Sequence, residues 1–178
     1  EQFIEGEDLR IVEIKFEVVA AAIRKPAEVV GDGKHTIEEL IKKQSRRREM
    51  ATGGESAIPI DKETENCIQS AGYALSDVLD PREVLRVRKT ANLHTGGTIH
   101  DVTAELHPVL KEAAVKVAKT INIPVVGVDL IVHSAKEDAY IFIEANERPG
   151  LANHEPQPTA QKFIDMIFPD TRSPGASE

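Results

Sequence analysis

Two acidic side chains stand where apolar ones are expected. The stretch YIFIEAN, Tyr140–Asn146, is apolar and β-prone until Glu144, and Asn146 follows two residues on. Asp129 is embedded in a second apolar run, VVGVDLIV. Side chains alternate faces along a strand, so Tyr140, Phe142, Glu144 and Asn146 are expected on one face, with Ile141, Ile143 and Ala145 on the other. The short polar segment between the runs, SAKEDA, suits a hairpin loop. In the register that pairs His133 with Tyr140, Asp129 lies directly across from Glu144. Residues so paired hold their Cβ atoms about 4.5–5.5 Å apart, and like charges there repel. The pair therefore needs a cation between its members, or one member must take up a proton. With the Asn146 amide oxygen, the carboxylates form a hard-oxygen donor set that suits Mg²⁺ or Mn²⁺. The other reading of the same residues is a strand that frays into solvent at Glu-Ala-Asn.

A second stretch, VRKTANLHTGGT, combines cations, polar side chains and glycines. Arg88 and Lys89 close a strand-like run, and Asn92, His94, Thr95 and Thr98 follow. Gly96–Gly97 would let backbone N–H groups approach an anion closely. Beside a metal, those cations would serve the same polyphosphate; a plain Gly-Gly turn is the alternative. Asp8 and Arg10 share a strand face, either as a surface ion pair or as one group for ribose or substrate and one for a transferring phosphoryl. Pro149–Gly150 forces a sharp turn just after Asn146, which would bring Arg148 and His154 beside the metal. A His in a Pro-rich loop can equally be merely exposed.

The elements that must hold these residues are legible in outline. Alternation predicts a hairpin of Leu9–Ile14 and Glu17–Ile23 turning near Lys15–Phe16. Asp32–Gly33 signals a turn, and Thr36 with Glu39 forms a capping box that opens a short helix over Ile37–Lys43. QSRRREMATGGES has no period and reads as a mobile loop, its arginines a solvated charge run or a phosphate grip. DKETENCIQSAG reads as a second helix with a Gly stop, and EVLRVRKTAN as a strand. Val109, Leu110, Ala113, Val117 and Ile121 mark the apolar stripe of a further helix. A last helix, Thr159–Phe168, is stopped by Pro169. Early strands punctuated later by helices give an α+β class with a largely antiparallel sheet.

Bulk properties narrow the function classes. A chain of 178 residues can hold one domain with a proper core. Its net charge of −8 argues against broad nucleic-acid binding. A single cysteine, Cys67, excludes an internal disulfide framework and fits a reducing, cytoplasmic compartment. No apolar run reaches the length of a membrane span. The sequence opens on Glu1 and not on Met, as though taken from something longer.

Taken in order, EQFIEGEDLR, RKTANLHTGG, GVDLIV and FIEANERPGL resemble the motifs of the ATP-grasp carboxylate–amine ligases, and in particular the ATP-grasp parts of cyanophycin and N-acetylglutaminylglutamine synthetases. The resemblance runs from Glu1 to about Pro169. It implies a C-terminal ATP-grasp subdomain over 1–169, beginning at the interdomain hinge, with an inserted helical and loop segment at about 36–82. It further implies that the lid subdomain is missing and that 170–178 is a disordered tail. Carried over by position, it makes Asp129, Glu144 and Asn146 ligands of two Mg²⁺ (or Mn²⁺) ions. Glu1 and Ile4 would contact adenine and Asp8 the ribose. Arg88 or Lys89, with Asn92, would hold the γ-phosphate. Arg10 and Lys89 would stabilise charge in the reaction. His94, Gly96, Gly97, Arg148 and His154 would face the substrate; Glu147–Arg148 departs from the small residues of the cyanophycin pattern. The implied activity is ATP-dependent amide formation between an amino acid or peptide carboxylate and an amine, through an acyl phosphate. The implied partners are those small molecules, the missing N-terminal part of the same polypeptide and possible further copies of the chain, with no nucleic acid and no membrane. The fragment alone would be inactive. A non-catalytic nucleotide- or metal-binding module of the same fold is the rival reading.

Overall fold

A computed structural model of the chain describes residues 6–151, 154 and 156–169. The chain divides into two compact units, one formed by residues 1–23 and 99–178 and the other by residues 24–98.

The first unit is built on a five-stranded sheet. Strands β1 (Glu7–Ile14) and β2 (Glu17–Lys25) form the expected hairpin. Its turn residues Lys15 and Phe16 both take positive φ, 58° and 63°, as the twist of a two-residue hairpin turn requires. Neither is glycine; Phe16 recovers part of the strain by packing its ring against the core. The second unit contributes β3 (Glu28–Val30), α1 (Ile37–Thr52), α2 (Lys62–Ser70) and β4 (Val84–Arg86). The chain then runs through β5 (Thr98–Asp101), α3 (Pro108–Ile121), β6 (Val125–Val132), β7 (Tyr140–Asn146) and α4 (Thr159–Ile167). The sheet order is β5-β2-β1-β6-β7, and β6 pairs antiparallel with both β1 and β7. Thus β1 and β6, distant in sequence, lie side by side at the centre.

Helix α3 covers one face of this sheet. Leu110, Ala114 and Ala118 are fully buried against Leu9, Ile11, Val126, Val128 and Leu130. The buried stripe is rotated from the expected one: Val109 and Ile121 are exposed. Alanines at the contact let helix and sheet approach closely, which larger side chains would prevent.

In the second unit, β3 and β4 form a two-stranded sheet, and Ile37, Ile41, Ile68, Leu79 and Val87 form a separate core. The Thr36–Glu39 capping box is present at the start of α1. The helix does not stop at Lys43, however. It continues through the segment read as a loop, to a left-handed Gly53 cap. Gln44, the arginines, Glu49 and Met50 are good helix formers with no breaker among them. The apolar period is missing there because that half of the helix is largely solvated.

Glu13 lies on the α3 side of β1, is 0% exposed, and neither carboxylate oxygen has a hydrogen-bond partner. Burial pushes its carboxyl up to about 7, against a smaller opposing pull from Lys119. Below the unfolded value near 4.5 the group is protonated in both states and costs nothing. Above it the unfolded chain ionises first, so stability falls until the folded group also ionises near 7. The wild-type chain is expected to lose about 3 kcal/mol between those limits. Glu13→Gln should lack this component, as the difference between urea-unfolding curves at pH 5 and pH 8 will show.

Candidate metal centre

The face of the sheet opposite α3 carries the polar residues. Strand pairing aligns Arg10 with Asp129 and Asp129 with Glu144, so the three form one row across β1, β6 and β7. In the next row, Val12 pairs with Gly127 and Gly127 with Asn146. The expected juxtaposition of Asp129 and Glu144 is therefore present.

The rest of the hairpin register differs from the expectation. Val132, not His133, pairs with Tyr140, and the register shifts between Asp129 and Leu130. Leu130 pairs with Phe142, which leaves Ile143 as an extra residue in a β-bulge. The bulge also separates residues that simple alternation puts together. Tyr140 and Phe142 turn to the α3 side, where they line a groove of about 380 Å³ with Ala113, Val117, Ile121 and Leu130. Glu144 and Asn146 keep the face of Asp129. Without the bulge, either the aromatic rings or the carboxylate would face the wrong side.

Asp129 has a side-chain cation as its partner, on the strand opposite to that of Glu144. Arg10 grips Asp129 with two hydrogen bonds, Nε to Oδ1 at 2.7 Å and Nη2 to Oδ2 at 2.6 Å. The Asp129 side chain is 6% exposed and that of Arg10 18%. The Asp129 hydrogen bonds push the Arg10 guanidinium further up, against the opposing effect of burial, with added pull from Asp8 and Glu144. Asn146 donates through Nδ2 to Glu144 Oε1 at 2.9 Å and lies 3.5 Å from Asp129 Oδ2. Gly127 gives these groups room: a Cβ there would stand 3.0 Å from Pro149 Cβ and 3.7 Å from Arg10 Nε. The sequence reading missed Gly127, although its place beside Asp129 in an apolar strand was a signal.

The residues fit a hard divalent cation. Asp129 and Glu144 offer carboxylate oxygens on neighbouring strands, and turning the Asn146 amide over exchanges its nitrogen for Oδ1. Among the described residues no cluster of three His, Cys, Asp or Glu side chains exists that could hold a metal. Mg²⁺ needs no such cage, because it keeps waters and takes phosphate oxygens.

The second stretch is arranged differently from its sequence reading. Arg88 does not present a cation to the Gly-Gly loop. Its guanidinium is buried and donates to Asp61 Oδ1 at 2.6 Å, Glu63 Oε2 at 2.7 Å and Thr64 Oγ1 at 3.1 Å. It thereby ties β4 to the start of α2, where Asp61 is the N-cap. Lys89 is exposed. Asn92 caps a 3₁₀ turn, Leu93–Thr95, through His94 N–H. The Gly96 and Gly97 N–H groups donate to Leu93 and Asn92 carbonyls, so they are not held open for an anion. Both glycines are buried, and Gly96 has φ of +90°. A Cβ at Gly96 would come within 2.3 Å of Ile58, and one at Gly97 within 2.8 Å of the Asn92 carbonyl. The exposed His94 ring meets the Glu55 carbonyl at 3.1 Å, and Ala57 N–H donates to His94 O.

Arg148 points into solvent, 93% exposed, 4.0 Å from Glu147. It does not sit against the carboxylates. His154 is buried, its Nε2–H donating to the Gly150 carbonyl at 3.1 Å, so it braces the Pro-Gly loop. Asp8 is half-buried, one pleat from Arg10 on the same face. Glu1 and Ile4, expected at adenine, and the tail 170–178 lie outside the described residues.

Residues 86–167 match the RimK-like ATP-grasp domain family. The fold agrees: a bifunctional glutathione synthetase from Pasteurella multocida superposes with a TM-score of 0.73 at 26% identity, over 94% of this chain and 24% of that one. Residues 86–167 are thus similar to the RimK-like ATP-grasp domain, and the antiparallel sheet with flanking helices is of the ATP-grasp fold. Among named relatives it is similar to cyanophycin synthetase of Crocosphaera subtropica, 35% identical over 95% of this chain and 21% of the relative. It is also similar to the glutathione biosynthesis bifunctional protein GshAB of Clostridium perfringens, 29% identical over 94% of this chain and 23% of that protein. The chain thus spans about a fifth of the length of these relatives. Among the described residues no helix is long and apolar enough to cross a membrane.

Because the Gly-Gly turn is packed and not open, Gly96→Ala should destabilise the chain by about 2–3 kcal/mol. Lys89→Ala, at an exposed position, should change stability by less than about 0.5 kcal/mol. Denaturant unfolding of both variants measures the contrast.

Proposed function

We propose that this chain, within a longer polypeptide, supplies the metal- and phosphate-binding half of the site of an ATP-dependent carboxylate–amine ligase. The observation that carries the reading is the row Arg10–Asp129–Glu144 across three strands, with Asn146 one pleat on. It supports the reading by bringing two carboxylates, an amide and a guanidinium to one face of the sheet. The match of residues 86–167 to the RimK-like ATP-grasp domain supports ATP as the phosphoryl donor.

In the proposed reaction a substrate carboxylate oxygen attacks the γ-phosphorus of ATP, giving an acyl phosphate and ADP. An amine then attacks the acyl carbon, phosphate leaves, and the amine gives up a proton. Asp129, Glu144 and Asn146 would hold two Mg²⁺ ions, which when bound supply positive charge to the phosphate oxygens. Arg10 lies beside those ligands and would stabilise negative charge on the transferring group. Lys89, exposed where Arg88 is not, would neutralise phosphate charge, with Asn92 hydrogen-bonding beside it. Asp8 would accept from the ribose, and Glu1 and the Ile4 backbone would meet the base. His94 and the turn carrying Gly96 and Gly97 would face the substrate. Arg148, exposed, has the chemistry to take a substrate carboxylate; His154 would hold the loop that presents it. No side-chain nucleophile is required.

The reading predicts phosphate release that needs both an acid and an amine and is lost on chelating Mg²⁺. Glu144→Ala should reduce turnover of the intact protein by at least about a thousandfold while leaving the far-UV circular dichroism and the unfolding midpoint nearly unchanged. Unchanged turnover in that variant would remove Glu144 from the site.

A further inference from the structure

The two hydrogen bonds between Arg10 and Asp129 occupy the very atoms that a metal would use. Oδ1 receives Nε, Oδ2 receives Nη2, and Asn146 Nδ2 stands 3.5 Å from Oδ2. We propose that Arg10 and a divalent cation compete for Asp129, so that Arg10 keeps metal out of the site until it lets go. The inference rests on the metal assignment proposed above and adds the control of its occupancy.

Three observations support an exchange of one cation for another. First, Asp129 is almost fully buried in the middle of a sheet. A carboxylate there needs a positive partner at all times, because a buried charge left alone is strongly disfavoured. Either Arg10 or a metal satisfies it, and the two repel each other if both crowd the same oxygens. Second, Arg10 is able to leave. Its side chain keeps 18% exposure, and among the described residues its Nη1 makes no hydrogen bond. The missing side chain of Gly127 leaves space alongside Nε. Third, Arg10 has other negative charge within reach. Asp8 lies one pleat along β1 on the same face, and Glu144 lies one strand beyond Asp129 in the same row, so a displaced guanidinium moves within an acidic neighbourhood that an incoming polyphosphate would extend.

Linkage sets the consequence. If metal weakens the hold of Arg10 on Asp129 by some factor, Arg10 weakens metal binding by the same factor. Metal alone then binds poorly, and an anion that draws Arg10 away makes it bind well. Metal and polyphosphate would load together, beyond what their own contact supplies.

The test is a Mn²⁺ titration of the protein, read by loss of the free-ion electron paramagnetic resonance signal. Wild type, Arg10→Gln, Asp129→Asn, Glu144→Gln and the Arg10→Gln/Asp129→Asn double variant are compared. Arg10→Gln should bind Mn²⁺ on the order of tenfold more tightly than wild type, and adding Asp129→Asn should abolish the gain. Equal or weaker binding in Arg10→Gln, with binding still lost in Asp129→Asn, overturns the competition and leaves the metal assignment standing. Binding in wild type that survives both Asp129→Asn and Glu144→Gln, or Mn²⁺ uptake by none of the proteins, removes the metal assignment itself and the inference with it. Because Arg10→Gln removes a cationic partner from a buried carboxylate, a second measurement uses wild-type protein. The Arg10 Nε–Hε resonance should shift from its clamped position as Mg²⁺ is added, toward its position in Asp129→Asn. A resonance that stays in place while Asp129-dependent Mg²⁺ binding proceeds overturns the proposal independently of the variant.

Discussion

A carboxylate buried in the centre of a sheet must have its charge answered, and the Asp129 environment is organised around that requirement. Strand β6 is covered by α3 on one face and flanked by β1 and β7 on its edges. Arg10 answers from β1 with a planar fork that matches both carboxylate oxygens. Glu144 and Asn146 approach from β7. Each lies on a strand and not in a loop, so the backbone ladder fixes their spacing. Such a framework holds functional groups to tighter tolerances than a loop can.

Two small backbone features make the arrangement possible. The bulge at Ile143 lets one short strand turn its aromatics to the groove on the α3 side and its acid to the opposite face. Gly127 keeps a Cβ out of the space used by Arg10 and Pro149. Neither feature carries chemistry of its own; the bulge sets the face of Glu144, and Gly127 admits the close approach of Pro149.

The second unit uses the same residue types for a different end. Arg88, like Arg10, is held by carboxylates, but by two of them and a hydroxyl, at the N-terminus of α2. That guanidinium is committed to joining a strand to a helix. The Gly-Gly turn beside it is also a packing solution: its N–H groups close the turn, and its missing side chains admit Ile58 and the Asn92 carbonyl. What this region leaves exposed are Lys89, Asn92 and His94.

Some of this was written in the sequence alone. The Asp129–Glu144 pairing was reached from strand alternation and a short polar loop, although the register beside the turn is one residue off and the bulge at Ile143 brings the two acids back opposite each other. The capping box at Thr36 was legible because its partner is three residues away. The family motifs, read in order, pointed to the ATP-grasp fold before any strand was placed. Tertiary structure decided the rest. The pairing of Arg10 with Asp129 joins residues 119 positions apart, and nothing in local pattern sets which strands become neighbours. The burial of Arg88 depends on where α2 lands, and the length of α1 on the absence of a breaker in a solvated, aperiodic stretch. The bulge breaks the two-residue period that strand reading relies on. Local geometry thus specified which acids face each other, and long-range packing specified which cation pairs with Asp129.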